Sequence, residues 1–340
     1  MGRKVCVVGA GVNGLCTAVL IQELLPNVSV TIVADKTTTD TLSDGAAGLF
    51  RVSDSTRGPS PESIKTWTRD SYLYYKSIAT SPQSDDAGIK EISGYILAEE
   101  AENITKNLLL EDILPIWRKL DEDELKPFPG NWKYGSTFKT VLVECRRFLP
   151  WMTKKFQTNG GKILKQRINS LDELFGECDV VVNCSGFGAK YLCNDSRVVP
   201  IRGQVIKVKA PWIKEFVYGD YDTYICPGFD FVTLGGTRQF DSYDTKMNTY
   251  NSKEIWERCC KLVPNLKNAK IEYEFVGLRP YRDEIRVELE YLTRKNSTKF
   301  PVVHNYGHGG YGVSLAYGCA KNTAQLVKAC LVNTDLQSKL

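Results

Sequence analysis

The chain begins with an apolar run, a glycine-rich turn and a second apolar run. Residues 4–8, KVCVV, are mostly β-branched and predict a strand. The following NGLCTAVLIQELL has apolar residues at 15, 18, 19, 20, 24 and 25, the spacing of a helix. VSVTIVAD (28–35) is a second strand and closes a βαβ unit. Further along, KILKQRI (162–168) and DVVVNCSG (179–186) predict strands, the second apolar enough to be buried on both faces. VIKVKA (205–210) alternates like a half-exposed strand. YDTYICPG and FVTLGGTRQ predict antiparallel neighbours joined at Pro227-Gly228, RVELEYL (286–292) alternates again, and residues 317–331 form a final amphipathic helix. Polar stretches with Pro and Gly, at 80–90 and 121–130, are connections. The expected fold class is mixed α/β: a Rossmann-type βαβ domain interleaved with an antiparallel-sheet domain. The expected divisions are 1–75, 140–198 and 285–340 for the first, and 76–139 and 199–284 for the second.

Between the first strand and helix lies Gly9-Ala10-Gly11-Val12-Asn13-Gly14, a G-x-G-x-x-G in strand–turn–helix context. Its first glycine allows a tight turn, its second lets a pyrophosphate approach the backbone, and its third brings helix and strand together. Asp35 ends the second strand, where a carboxylate can accept hydrogen bonds from a ribose. A second glycine-rich loop, His308-Gly309-Gly310-Tyr311-Gly312, favours the larger FAD over NAD, because a flavin needs several backbone segments close to it.

Composition adds limits. The 340 residues carry 42% hydrophobic and 25% charged residues, as expected of a globular protein. A formal charge of +4, without a basic run, gives no reason to expect nucleic acid as a partner. No apolar run is long enough to suggest a membrane span. Eleven cysteines without a C-x-x-C pair, and only two histidines, predict reduced thiols and no metal site. Sequons at Asn27, Asn103, Asn194 and Asn296 are expected to be chance matches. Ser338-Lys339-Leu340 is the tripeptide read by the peroxisomal import receptor and predicts the peroxisome matrix as the location. The oligomeric state is left open.

The stretches VVGAGVNGL, DGAAGLF, VVNCSG, RGQVIKV, TLGGTRQ, VGLRPYR and VVHNYGHGGYGVS together resemble the D-amino-acid oxidase family over nearly the whole chain. The resemblance implies an FAD enzyme that passes a hydride from the substrate Cα to flavin N5. The products would be a 2-oxo acid, ammonia and, with O₂ as acceptor, H₂O₂. It further implies adenosine contacts at Asp35 and Lys36 and pyrophosphate contacts at Thr41, Leu42 and Ser43. Ala47, Gly48 and Leu49 would run against the flavin, with flanking contacts from Ile168 and Ser185. Gly309, Gly310, Tyr311, Gly312, Val313 and Ser314 would close around the isoalloxazine, Gly310 also bordering the substrate. Arg279 would fork onto the substrate α-carboxylate beside the flavin, and Tyr224 would hydrogen-bond the same group; these two carry the catalytic orientation. The family's lid tyrosine corresponds to Tyr218 or Tyr221. No general base is implied, and a structural hydrogen bond is the expected role of His308.

Substrate choice turns on arginines. Family members acting on D-aspartate carry an arginine at the position of Arg238, which would meet a side-chain carboxylate in a desolvated pocket. The lid FVYGDYDTY lacks the arginine found on the lids of those members, and no histidine follows AAGL. Arg51 stands where neutral-substrate members have glutamine. Either it joins Arg238 as an acidic-substrate reader, or it pairs with Asp54 at the surface. The expected substrates are acidic D-amino acids (D-aspartate, with D-glutamate and N-methyl-D-aspartate), with neutral or basic D-amino acids as the alternative.

Overall fold

The computed structural model describes residues 2–220, 222–293 and 299–337, the side chains of 333–337 excepted. Asn296, Tyr221 and the Ser338-Lys339-Leu340 tripeptide therefore lie outside the described residues. The chain first forms β1 (Lys4–Ala10), α1 (Val12–Leu24), β2 (Ser29–Thr37) and α2 (Pro61–Ala79). It continues through β3 (Ile89–Ala98), β4 (Trp117–Lys119), β5 (Tyr134–Val143), α3 (Cys145–Thr158), β6 (Lys162–Lys165) and β7 (Val180–Asn183). Then come β8 (Val199–Lys209), β9 (Phe216–Gly219), β10 (Thr223–Pro227), β11 (Val232–Gly235) and β12 (Gln239–Phe240). The last elements are α4 (Thr249–Leu262), β13 (Lys270–Thr293), β14 (Lys299–His308) and α5 (Gly312–Gln337).

All the strands belong to one mixed sheet. Its path is β4-β5-β3-β9-β10-β11-β8-β13-β14-β7-β1-β2-β6, with β12 beside β8. One half, β14-β7-β1-β2-β6, is wholly parallel. Every residue of β7 is buried, as its apolar run predicts. The other half is antiparallel except where β9 runs parallel to β3. The 24-residue β13 passes from one half to the other: it pairs with β8 up to Tyr281 and with β14 from Arg286 onward. β10 and β11 pair as expected, with Tyr224 opposite Gly235 and Gly228 N–H donating to Phe231 O at 2.8 Å across the turn.

α1 forms where its spacing predicts, and Leu15, Cys16, Thr17, Ala18, Val19 and Ile21 are all buried, because α3 and α5 cover the faces that the sheet does not. Two readings of pattern are corrected. β6 stops at Lys165, short of the expected Ile168. β8 is buried along nearly its whole length, Lys207 included, because both faces of the sheet are covered there. A second apolar cluster (Ile206, Val208, Leu234, Ile255 and Cys259) fills the space between β8, β11 and α4.

Candidate active site

β1 ends at Ala10 and α1 starts at Val12, so the glycine turn is forced into a few residues. Gly9 takes φ +103, and a Cβ there would sit 2.5 Å from Cys184 O. A Cβ at Gly14 would be 1.9 Å from Gly9 O, so no larger residue allows this helix–strand contact. The first turn of α1 has no acidic residue, which leaves its partial positive charge for an anion. Val12 N–H donates to Ser43 Oγ at 3.1 Å and holds the 41–43 stretch against the helix start.

From this turn a cleft of about 1150 Å³ runs between the two halves of the sheet. It is lined at one end by Gly9, Ala10, Gly11, Val12, Asn13, Asp35, Lys36, Thr41, Leu42, Ser43, Ile168 and Ser185. Further along come Ala47, Gly48, Leu49 and the 309–314 turn, and then Arg51, Tyr224, Arg238 and Arg279. Of the residues assigned above to cofactor or substrate contact, only Gly14 does not border the cleft, which matches its packing role. Seven Lys or Arg residues face four Asp residues along the wall, a balance suited to anionic ligands.

At the far end four side chains form a row. The Arg51 guanidinium lies 4.9 Å over the Tyr218 ring, and Tyr218 stacks on Tyr224 with centroids 5.3 Å apart. Burial pushes the Tyr224 hydroxyl's pKa upward, opposed by the neighbouring Arg279 guanidinium. Arg279 also donates to Thr237 O at 3.0 Å. Bare backbone makes this row fit: a Cβ at Gly203 would lie 2.3 Å from Arg279 Cζ, and one at Gly235 would lie 1.9 Å from Tyr224 Cζ. Among the described residues neither Arg51 nor Arg279 has a carboxylate partner, and Arg51 Nε is buried without a hydrogen bond. Asp54 accepts from Ser53 Oγ rather than from Arg51. Tyr218 is an inner-wall residue whose hydroxyl accepts from Cys226 Sγ at 3.8 Å.

Arg238 differs from expectation. Its side chain is 48% exposed at the cleft mouth, and its Nε is 3.8 Å from Asp222 Oδ1. The strand β11 ends at Gly235, so residues 236–238 leave the sheet and carry Arg238 outward. His308 also differs: it is buried, burial pushes its ring down to about 4, and its Nε2 has no partner. His304 Nε2 is 2.9 Å from Glu290 Oε2, in a polar network behind the cleft. Sequence reasoning passed over Gly203, whose signal is a glycine in mid-strand. It also passed over Asp222, for which no local signal exists.

A long cleft with a helix N-terminus at one end and unpaired guanidinium groups at the other defines a dinucleotide-dependent enzyme. The chain belongs to the FAD dependent oxidoreductase family (DAO), whose model matches residues 4–326. It is 43% identical over 330 residues to the D-aspartate oxidase of Homo sapiens, covering 96% of this chain and 95% of that one. A D-amino acid oxidase of Dugesia ryukyuensis is 38% identical, covering 98% and 99%. D-aspartate oxidase 1 of Caenorhabditis elegans is 33% identical, covering 99% and 100%. The fold is shared with the glycine oxidase of Geobacillus kaustophilus at TM-score 0.77 and 17% identity, over 96% of this chain and 95% of that one.

FAD fits the residues present. At Gly186 and Gly310 an added Cβ would find no atom nearer than 3.9 and 3.7 Å, so bare backbone faces open cleft at both ends of the site. Asn13 Oδ1 and His308 Nε2, both on cleft-lining residues, are buried without partners.

Proposed function

We propose that this chain oxidises acidic D-amino acids, D-aspartate foremost, to the 2-oxo acid and ammonia. One observation carries the reading. Two arginines without carboxylate partners, Arg51 and Arg279, stand at the two ends of the stacked Tyr218–Tyr224 pair. Two separated cations suit a substrate with two carboxylates and leave one unsatisfied when the substrate is neutral. The D-aspartate oxidase relatives support the substrate class and the D configuration.

Bound FAD would supply the two-electron acceptor for the Cα–H bond, with O₂ as the final acceptor and H₂O₂ as product. The α1 N-terminus, Ser43 and Ser185 would hold its pyrophosphate, Asp35 its ribose, and the 309–314 turn its ring end. Arg279 would fork onto the α-carboxylate, helped by the Tyr224 hydroxyl, and so fix the direction of the Cα–H bond. Arg51 would meet the side-chain carboxylate, and Arg238 would draw acidic substrates to the mouth. The stacked tyrosines exclude water from this end. Neither histidine is needed as a base.

We also infer that the Ser338-Lys339-Leu340 tripeptide directs the protein to the peroxisome matrix, where peroxide production would be contained. A fluorescent fusion with and without these three residues tests this: import that persists without them refutes it. The substrate reading is tested by peroxide release from D-aspartate, D-glutamate, N-methyl-D-aspartate, D-alanine and D-arginine. The acidic members should give the highest kcat/KM; faster turnover of D-alanine or D-arginine would favour the neutral or basic alternative, which the Dugesia relative's name supports.

A further inference from the structure

Lys207 has no role in the chemistry above, yet it lies 6% exposed in the middle of β8. An ammonium is among the least favourable groups to bury, and a methionine would fill the same space without the desolvation cost. Among the described residues Lys207 forms no ion pair; Asp44 is taken by Arg146 at 2.5 Å. Its Nζ instead donates to two neutral oxygens, Thr233 Oγ1 at 2.8 Å and Ala46 O at 3.2 Å.

The two acceptors belong to different walls. Thr233 sits directly opposite Lys207 in the β8–β11 pairing, two residues before Gly235, against which the Tyr224 ring lies. Ala46 begins the stretch whose Ala47, Gly48 and Leu49 line the cofactor part of the cleft. That stretch is fixed at its other end by Val143 N–H donating to Gly48 O at 2.8 Å. Among the described residues, no other side chain hydrogen-bonds Ala46 to the antiparallel half.

We propose that Lys207 is a positioning residue that ties the cofactor-facing Ala46–Leu49 stretch to the substrate-facing β11 wall, so that one buried ammonium sets both binding surfaces. The proposal rests on the FAD oxidase reading.

The test uses the full-length holoprotein and compares Lys207→Met, Lys207→Gln and Thr233→Val with wild type. FAD dissociation is followed by flavin fluorescence, and KM and kcat by peroxide release from the best wild-type substrate. Lys207→Met should weaken FAD retention by about tenfold and raise KM, the loss expected for a buried charged hydrogen-bond donor. Lys207→Gln, which keeps a donor, should recover part of the FAD retention. Thr233→Val removes only the acceptor on the substrate wall and should raise KM about fivefold or more while FAD retention stays within about twofold. If Lys207→Met fails to fold, the split shown by Thr233→Val and the retention of Lys207→Gln decide. FAD affinity and KM both unchanged in the folded variants would overturn the tether. A wild-type protein that holds no FAD would instead overturn the oxidase reading.

Discussion

The Arg51 guanidinium lies over the Tyr218 ring, 4.9 Å from its centroid, on the wall of the cleft and without an ion pair to Asp54. It is therefore the interior cation best placed to recognise a second carboxylate, with Arg238 outside it at the mouth. Arg51→Ala should raise KM for D-aspartate by about 30- to 5000-fold, the range for truncating one partner of a buried charge pair. KM for D-alanine should stay within about threefold, because a neutral side chain makes no use of that charge. Arg238→Ala, being exposed, should cost D-aspartate less than Arg51→Ala. Steady-state kinetics on both substrates checks the order, and equal losses on D-aspartate and D-alanine would contradict it.

Arg279 offers a planar fork that a lysine cannot reproduce. Arg279→Lys should lower kcat/KM on every substrate by about 100-fold, since Cα orientation is lost along with affinity. The visible spectrum of the bound flavin, recorded beside the kinetics, should remain that of a loaded protein. Loss of flavin would mean that the arginine holds the cofactor instead.

The guanidinium of Arg279 covers Gly203 so closely that an added methyl would sit 2.3 Å from Cζ. Gly203→Ala should therefore displace the fork and reduce kcat/KM much as Arg279→Lys does, with only a small change in thermal midpoint. An active Gly203→Ala variant would show that the fork can reorient.

Asp222 holds Arg238 only loosely, with both side chains nearly half exposed. Its carboxylate occupies the partner position that an incoming acidic substrate would take. Asp222→Asn should lower KM for D-aspartate about two- to fivefold, in keeping with an exposed ion pair, and added salt should shrink the effect. D-alanine kinetics should not change.

Burial pushes Lys207 down to about 8. Below that pH the folded protein carries the buried ammonium at a cost. Between about 8 and about 10.4 the unfolded chain still binds a proton that the folded one has released. Stability from this group therefore rises with pH over that window. The charges facing it are Glu144, Asp44, Cys145 and Cys226, and burial pushes both thiols up to about 12, which works in the opposite direction above the usual thiol range. Denaturant midpoints of wild type and Lys207→Met across pH 7–10.5 separate the two effects. Their difference should move in favour of wild type as pH rises.

The sequence was most informative where the determinants are local. The βαβ unit, its glycine spacing and the β10–β11 hairpin each depend on neighbouring residues, and each was legible. Lys207 was misread because a period of two assigns alternate side chains to opposite faces without saying whether both faces are covered. The Arg51–Tyr218–Tyr224–Arg279 row was not legible as a unit, since its members come from four segments brought together only by the sheet order. The outward turn of Arg238 follows from where β11 stops, a boundary that the Gly235-Gly236 pair marks only ambiguously.

β13 carries Arg279 and, two residues later, pairs Tyr281 with His308 at the entrance to the 309–314 turn. The proposed substrate fork and the loop expected at the flavin ring are thus registered by the rungs of a single ladder. Their alignment is written into backbone hydrogen bonding and does not wait for two bodies to swing together. The spacing between Arg279 and that turn is thereby set by strand pairing, much as a gauge block sets a gap.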